Sequence, residues 1–303
     1  MYMNIKNTPS REVWIWPKNE LHGAIYGDYE GIEYFFNELY SPFRCLYFSR
    51  GRVAITAILD AIGAKRNDLV FIQPFSSYCV QSAVSKIATP LTIHPEESKY
   101  QIVYHNFGRK ENVDQQVYKN VVIEDSVDSL VINNQEEELF PNNGSYAVFS
   151  LSKLLHLPFG SIVVCRTTEA YEVLKNSSVR NIQKGHLDMI NDSLFVDELL
   201  YANPLAVSSS LVNDAYNYIK SMYNETKNRI IANVDNISKI IGKSFNVSNR
   251  LPSNIFLTEA IPEYLYDKYN VEIKDRHIYD YDIQKSISVN MFPVHVDIKI
   301  GNE

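Results

Sequence analysis

The stretch AVFSLSKLLHLPFGSIVV (147–164) contains two apolar strand signals with a lysine between them. The first strand ends at Ser150 and Ser152, and Lys153 follows at once. A lysine flanked by apolar residues at a strand end suits Schiff-base chemistry, because desolvation lowers its pKa and frees the amine as a nucleophile. Most lysines are solvated surface residues, and the nearby His156 is of a type that is more often structural than catalytic. The assignment therefore depends on the rest of the chain.

Helix and strand signals alternate on both sides of this stretch. Residues 52–64 and 82–88 show helical recurrence of apolar positions, and short apolar runs typical of strands occupy 68–74, 89–95, 119–126, 144–152 and 160–166. This alternation predicts an α/β fold with a mostly parallel central sheet flanked by helices. Ligands of such folds bind beyond the carboxyl ends of the strands.

The character of the sequence changes at about residue 206. A long helical stretch (214–242) is followed by short strand-like pieces such as SNIFLT and SISVNMFPV. We therefore predict a large domain over residues 1–205 and a small α+β C-terminal domain over residues 206–303.

An acidic pair follows the apolar run of VVIEDSVDS (121–129), which delivers Glu124 and Asp125 to a strand end. A carboxylate there can keep the ring nitrogen of a pyridine cofactor protonated. It can equally cap the next helix or bind a metal ion. The residues alone do not choose among these roles.

Two loops at other strand ends have features of a cofactor site. In SRGRVA (49–54), Gly51 permits close backbone approach, the next helix offers its N-terminus to a phosphate, and Arg52 adds a bidentate donor. The alternative is an ordinary turn before a helix. In QPFSSYC (73–79), Tyr78 can stack on a planar ring, whereas Phe75 and Tyr78 can also be core aromatics.

Taken in order, SRGRVA, PFSSYC, VVIEDS and FSLSK with PFGSIVV resemble the DegT/DnrJ/StrS nucleotide-sugar aminotransferases, which are pyridoxal 5'-phosphate (PLP) enzymes of fold type I. The resemblance covers roughly residues 45–165. It implies that Lys153 carries the cofactor and that Asp125 pairs with its pyridinium nitrogen. The family's phosphate-binding and ring-stacking positions map to Ser49, Gly51, Arg52, Ser150 and Tyr78.

The chain also departs from the family pattern. The spacing from Ser150 to Lys153 is two residues shorter than usual. Asp128 stands where a Gln or His contacts the cofactor's hydroxyl, and the usual glycine pair is Gly160-Ser161. The family's GxNxR segment is reduced to Tyr201-Ala202-Asn203, without the arginine.

The resemblance implies an aminotransferase that moves an amino group from an amino acid, with glutamate as the expected donor, to a nucleotide-linked keto-sugar in surface polysaccharide or deoxysugar biosynthesis. It also implies a homodimer with shared active sites. Two alternatives stay open. A PLP-dependent sugar dehydratase would carry histidine in place of the lysine, and a degenerate family member would act as a binding protein.

Composition excludes several other classes. The net charge is −7 and no cluster of Lys and Arg occurs, which disfavours a nucleic-acid binder. Three widely spaced cysteines predict neither a disulfide framework nor a zinc site, and we predict no metal. The first residues lack a signal-peptide pattern and no window suits a membrane span, so we expect a cytoplasmic protein.

Overall fold

The computed structural model describes residues 29–48, 50–155, 160–177, 212–245, 247, 249–257 and 274–295. Its first half contains helices α1 (Tyr29–Leu39), α2 (Gly51–Ala61), α3 (Tyr78–Ser85) and α4 (Glu136–Leu139), with 3₁₀ turns at Pro95–Glu97 and Asn106–Gly108. Its strands are β1 (Arg44–Phe48), β2 (Leu69–Phe71), β3 (Thr89–Leu91), β4 (Tyr100–Tyr104), β5 (Val121–Asp125), β6 (Ser129–Val131) and β7 (Tyr146–Ser150).

The second half begins with two short helices and, between them, one more strand. These are α5 (Leu151–Leu154), β8 (Ser161–Cys165) and α6 (Thr168–Lys175). The long α7 (Val212–Ile241) follows, and then β9 (Arg250–Pro252), β10 (Asn254–Leu257), β11 (Lys274–Asp280) and β12 (Lys285–Pro293).

A seven-stranded sheet organises the first part of the chain, in the order β1-β8-β7-β5-β4-β2-β3. The strands β7, β5, β4, β2 and β3 are parallel, whereas β8 runs antiparallel to both β7 and β1. The predicted α/β fold with a mostly parallel central sheet is confirmed.

The core lies on both faces of this sheet. Residues 53–59 of α2 are buried without interruption, because the helix is enclosed by the sheet and its neighbours. On the other face, α1 and α7 pack against strands through aromatic and branched side chains such as Phe36, Phe149 and Ile230. Among the described helices, none is both long and apolar enough to cross a membrane.

The C-terminal strands return to the first part of the chain. Strands β10, β12 and β11 form a small antiparallel sheet, and β9 pairs with β6. The long helix and the strands predicted within 206–303 are present. The division into domains at residue 205 stays a prediction, since its boundary lies outside the described residues.

Candidate active site

One edge of the central sheet collects the predicted site residues. The carboxyl ends of β1, β4, β5 and β7 lie at the same edge because these strands run in one direction, and antiparallel β8 begins there. Gly51 follows β1, Asp125 ends β5, and Lys153 lies on α5 directly after β7. The topology therefore brings together residues that are up to about a hundred positions apart in sequence.

Lys153 forms an ion pair with Asp128 at this edge. The Lys153 Nζ lies 2.9 Å from Asp128 Oδ1, and the side chains are 27% and 3% exposed, respectively. The Tyr104 hydroxyl donates a hydrogen bond to the other carboxylate oxygen, Oδ2. Burial, together with the Asp128 charge, raises the pKa of Tyr104 well above its ordinary value. The tyrosine therefore stays protonated and remains a donor.

The expectation that Lys153 has a lowered pKa is wrong. Burial does lower the pKa of Lys153, but attraction to Asp128, and secondly to Asp125, outweighs burial and raises the pKa above its ordinary value. The sequence suggested the desolvation without showing that two carboxyls accompany it. Before any cofactor enters, the lysine is an ammonium group.

Asp125 is the second carboxyl of the site, and it is fully buried. Burial raises its pKa to about 7, with Lys153 acting in the opposite direction and Asp128 adding to the rise. Its Oδ1 accepts a hydrogen bond from Val127 N at 3.3 Å, in a turn that leads into β6. The helix-cap alternative is therefore wrong, and no group of acids, His or Cys in the described ranges could hold a metal ion.

Glu124, the neighbour of Asp125, points into a different network. Its carboxylate contacts His105 Nε2 at 3.1 Å and accepts hydrogen bonds from the Asn142 and Gly144 backbone amides at 2.8 and 3.0 Å. Consecutive strand residues face opposite sides of a sheet. Glu124 is therefore a structural acid, whereas Asp125 points to the candidate site.

The start of α2 forms a small cradle. A Cβ on Gly51 would lie 3.2 Å from Val127 Cγ1, 3.8 Å from Val148 Cγ1 and 3.9 Å from Ser161 Oγ. Arg50 occupies the N-cap position without a side-chain cap. The first amides of a helix point outward and favour an anion.

Hydroxyl groups lie close to this cradle. Ser150 pairs with Ser161 across β7 and β8, and the Ser150 hydroxyl lies 3.1 Å from that of Ser152. The pKa of Lys86, which follows α3, is lowered by burial and by the charge of Arg52. Sequence reasoning named Ser150 and Arg52 and missed Ser161.

The loop before α3 presents its aromatic rings to solvent. Phe75 is 65% exposed and Tyr78 is 79% exposed. The alternative that these rings belong to the core is therefore wrong. Cys79, next to Tyr78 at the start of α3, contributes to the electrostatic environment of Lys153.

Arg250 was not identified from the sequence, although it supports the acidic turn. It donates hydrogen bonds to Ser126 Oγ at 3.0 Å, to Ser129 Oγ at 2.8 Å and to the Glu138 carbonyl at 2.5 Å. Burial lowers its pKa to about 10. Through β9, this side chain links the C-terminal part of the chain to the turn between Asp125 and Asp128.

Several predicted positions fall outside the residues that the structure describes. They are Ser49, His156 and the segment Tyr201-Ala202-Asn203. The remaining predicted site residues, described above, are Gly51, Arg52, Tyr78, Asp125, Asp128, Ser150 and Lys153.

A family model described as "Putative PLP-dependent aminotransferase" matches residues 32–302, which is most of the chain. No curated protein sequence matches the chain.

Solved structures show the same fold at low sequence identity. A "Putative sugar aminotransferase" from Streptococcus pneumoniae in its PMP form is 12% identical with a TM-score of 0.56, covering 87% of this chain and 86% of that chain. An 8-amino-7-oxononanoate synthase from Francisella tularensis is 15% identical with a TM-score of 0.50, covering 97% of this chain and 88% of that chain. The chain has the fold of type I PLP enzymes.

Proposed function

Because the chain belongs to this family of PLP-dependent aminotransferases, we propose that Lys153 carries PLP and that the protein aminates a nucleotide-linked keto-sugar. The amino donor is an amino acid, with glutamate as the first choice. One observation carries the proposal, namely that Lys153, Asp125 and Asp128 lie together at the edge of the sheet next to the Gly51 cradle.

The residues of the site fit PLP. Gly51 leaves the space that a Cβ would fill, at a helix start suited to a phosphate. Asp125 is a buried acid whose raised pKa lets it share a proton with a ring nitrogen. Lys153 supplies the amine. Ser49, Arg52 and Ser150 would assist with the phosphate, and the exposed Tyr78 is available to cover the ring.

PLP, when bound, supplies an aromatic ring that withdraws electrons from the substrate carbon. The side chains of this chain supply the rest. Asp125 would hold a proton at the ring nitrogen, and Lys153 would move a proton at the reacting carbon as general base and acid. Asp128 would lie beside Lys153 and close enough to Asp125 to influence its charge.

The finer assignment to the DegT/DnrJ/StrS family, and with it the nucleotide-sugar substrate and the homodimer with shared sites, is part of the proposal. It rests on the order of the four motifs and on Lys153 in place of the histidine expected in a dehydratase. A role in surface polysaccharide or deoxysugar biosynthesis and a cytoplasmic location follow from the same resemblance.

The test incubates the protein and PLP with glutamate and with UDP-, dTDP- or GDP-linked keto-sugars. We expect 2-oxoglutarate release together with an aminated sugar detected by mass, and no product with Lys153→Ala. Lys99→Ala, which removes an exposed lysine, is the matched control and should retain activity. A deoxygenated sugar without an aminated one would contradict transamination, and a protein that binds these sugars without PLP would support the non-enzymatic alternative.

A further inference from the structure

Both oxygens of the Asp128 carboxylate have partners. Oδ1 contacts Lys153 Nζ at 2.9 Å, and Oδ2 accepts a hydrogen bond from the Tyr104 hydroxyl. The carboxylate is almost completely buried. These two contacts and its burial fix the orientation of the Asp128 carboxylate toward the lysine amine.

Tyr104 is itself held from two sides. Its hydroxyl accepts a hydrogen bond from Phe107 N at 3.2 Å, and its backbone amide donates to the Tyr281 hydroxyl at 3.0 Å. Tyr281 is buried and follows β11 in the C-terminal part of the chain. Asp128 therefore accepts a hydrogen bond from a tyrosine whose hydroxyl and backbone amide both have further hydrogen-bond partners.

Among the described residues, the titratable groups that act on Lys153 come from the end of β5 with the turn after it and from the start of α3. They are Asp125 and Asp128 in the first place and Cys79 in the second. Tyr104, at the end of β4, faces Asp128 and Asp125. Asp128 is the group in direct contact with the amine, so it is the one placed to exchange a proton with it.

We propose that Asp128, held in place by Tyr104, is the proton acceptor when Lys153 reacts with the aldehyde of its cofactor; this inference rests on the proposed function. The lysine nitrogen forms a double bond to the aldehyde carbon. The aldehyde oxygen leaves as water with two of the three ammonium hydrogens. The third hydrogen passes to the Asp128 carboxylate, so atoms and charge balance.

A pH profile separates this role from a structural one. In the wild type, the ion pair supplies the free amine by internal proton transfer, so loss of the Lys153 proton to solvent does not limit cofactor capture between pH 6 and 9. Asp125, whose pKa is about 7, is present in both the wild type and Asp128→Asn. In Asp128→Asn, the amine must lose its proton to solvent. Because Lys153 then lacks its nearest counter-charge, burial lowers its pKa. The rate of cofactor capture therefore depends on pH.

The experiment measures the second-order rate of PLP capture by the PLP-free protein, followed by absorbance, from pH 6 to pH 9. We expect the ratio of the Asp128→Asn rate to the wild-type rate to rise at least about tenfold over this range, as the amine becomes deprotonated. Tyr104→Phe should slow capture about three- to tenfold, the value of one hydrogen bond. Asp68→Asn, in an exposed ion pair, and Tyr223→Phe, in the core, are controls that should match the wild type.

A ratio that stays constant with pH would overturn the inference, since a structural role lowers capture equally at every pH. A second measurement follows labelling of Lys153 by an amine reagent in the PLP-free proteins, read by peptide mass. The labelling midpoint should fall by about one to three pH units in Asp128→Asn, and an unchanged midpoint would also overturn the inference. If the midpoint falls but no variant captures PLP on Lys153, the proposed function fails together with the capture step, while the pairing of Asp128 with Lys153 stands.

Discussion

Lys153 and Lys99 each lie 2.9 Å from an aspartate oxygen, yet their surroundings differ. The Lys99 side chain is about half exposed, and its pair with Asp68 simply raises the pKa of the lysine and lowers that of the acid. The Lys153 pair is largely buried and has Asp125 as a second acid nearby. Distance alone therefore does not distinguish a surface ion pair from a candidate active site. Burial and an additional carboxyl do.

The largest effect should come from removing that additional carboxyl. In Asp125→Asn, we expect the reaction of the PLP-loaded protein with glutamate to slow by about a thousandfold, because the ring nitrogen loses the acid that keeps it protonated. PLP should still attach to Lys153. The rate of the absorbance change on adding glutamate measures this. Asp68→Asn is the control, and an Asp125→Asn rate within tenfold of the wild type would rule out the role.

The same carboxyl should make the stability of the PLP-free protein depend on pH. The pKa of Asp125 is about 7 in the folded protein against an ordinary value of 3.8. A raised pKa means that its contribution to stability is complete below pH 4 and is lost as the pH rises through 7. The loss is at most about 4 kcal/mol.

Denaturant titrations from pH 4 to pH 8 test this prediction. The difference between wild type and Asp125→Asn isolates the aspartate from buried His105, whose pKa is lowered by burial and which acts in the opposite direction. Asp125→Asn should gain relative stability as the pH rises. A difference that does not change with pH would show that Asp125 is not a buried acid.

The two ion pairs can be compared directly with one substitution in each pair. Asp128→Asn should lower the free energy of unfolding of the PLP-free protein by about 1–2 kcal/mol at pH 7, because a largely buried ammonium loses its nearest counter-charge. Asp68→Asn should leave the unfolding midpoint unchanged, because solvent screens the exposed pair. Equal effects of the two substitutions would show that burial does not distinguish the two ion pairs.

The smallest effect concerns the cradle at the start of α2. In Gly51→Ala, the new methyl group would lie 3.2 Å from Val127 Cγ1, in space assigned to the cofactor phosphate. We expect PLP to bind about tenfold more weakly, with the thermal midpoint of the PLP-free protein little changed. An equilibrium titration with PLP measures this, and unaltered affinity would place the phosphate elsewhere.

The parallel core of the fold and the order of the site motifs could be predicted from the sequence alone. The apolar runs within VVIED and SIVVC are short and bounded by polar residues, and these features identify buried strands. Strand β4 was not assigned, although YQIVY is a similar run, and with it Tyr104 was missed. The signal that could have identified Tyr104 was a polar side chain at the end of an apolar run.

Other parts of the site had no local signal. Arg250 reaches Ser126 across 124 sequence positions through the pairing of β9 with β6. The raised pKa of Lys153 depends on the positions of two carboxyls that only the turn after β5 brings together. Long-range strand pairing and electrostatic balance are properties of the folded chain, so a local pattern could not reveal them.

The most direct test of the central claim is to find the residue to which PLP is attached. The protein is incubated with PLP, reduced with borohydride, digested and examined by peptide mass. We predict that one peptide gains the mass of the reduced cofactor and that fragmentation places it on Lys153, with Lys99 unmodified. A protein that retains PLP on another lysine, or on none, would contradict the account.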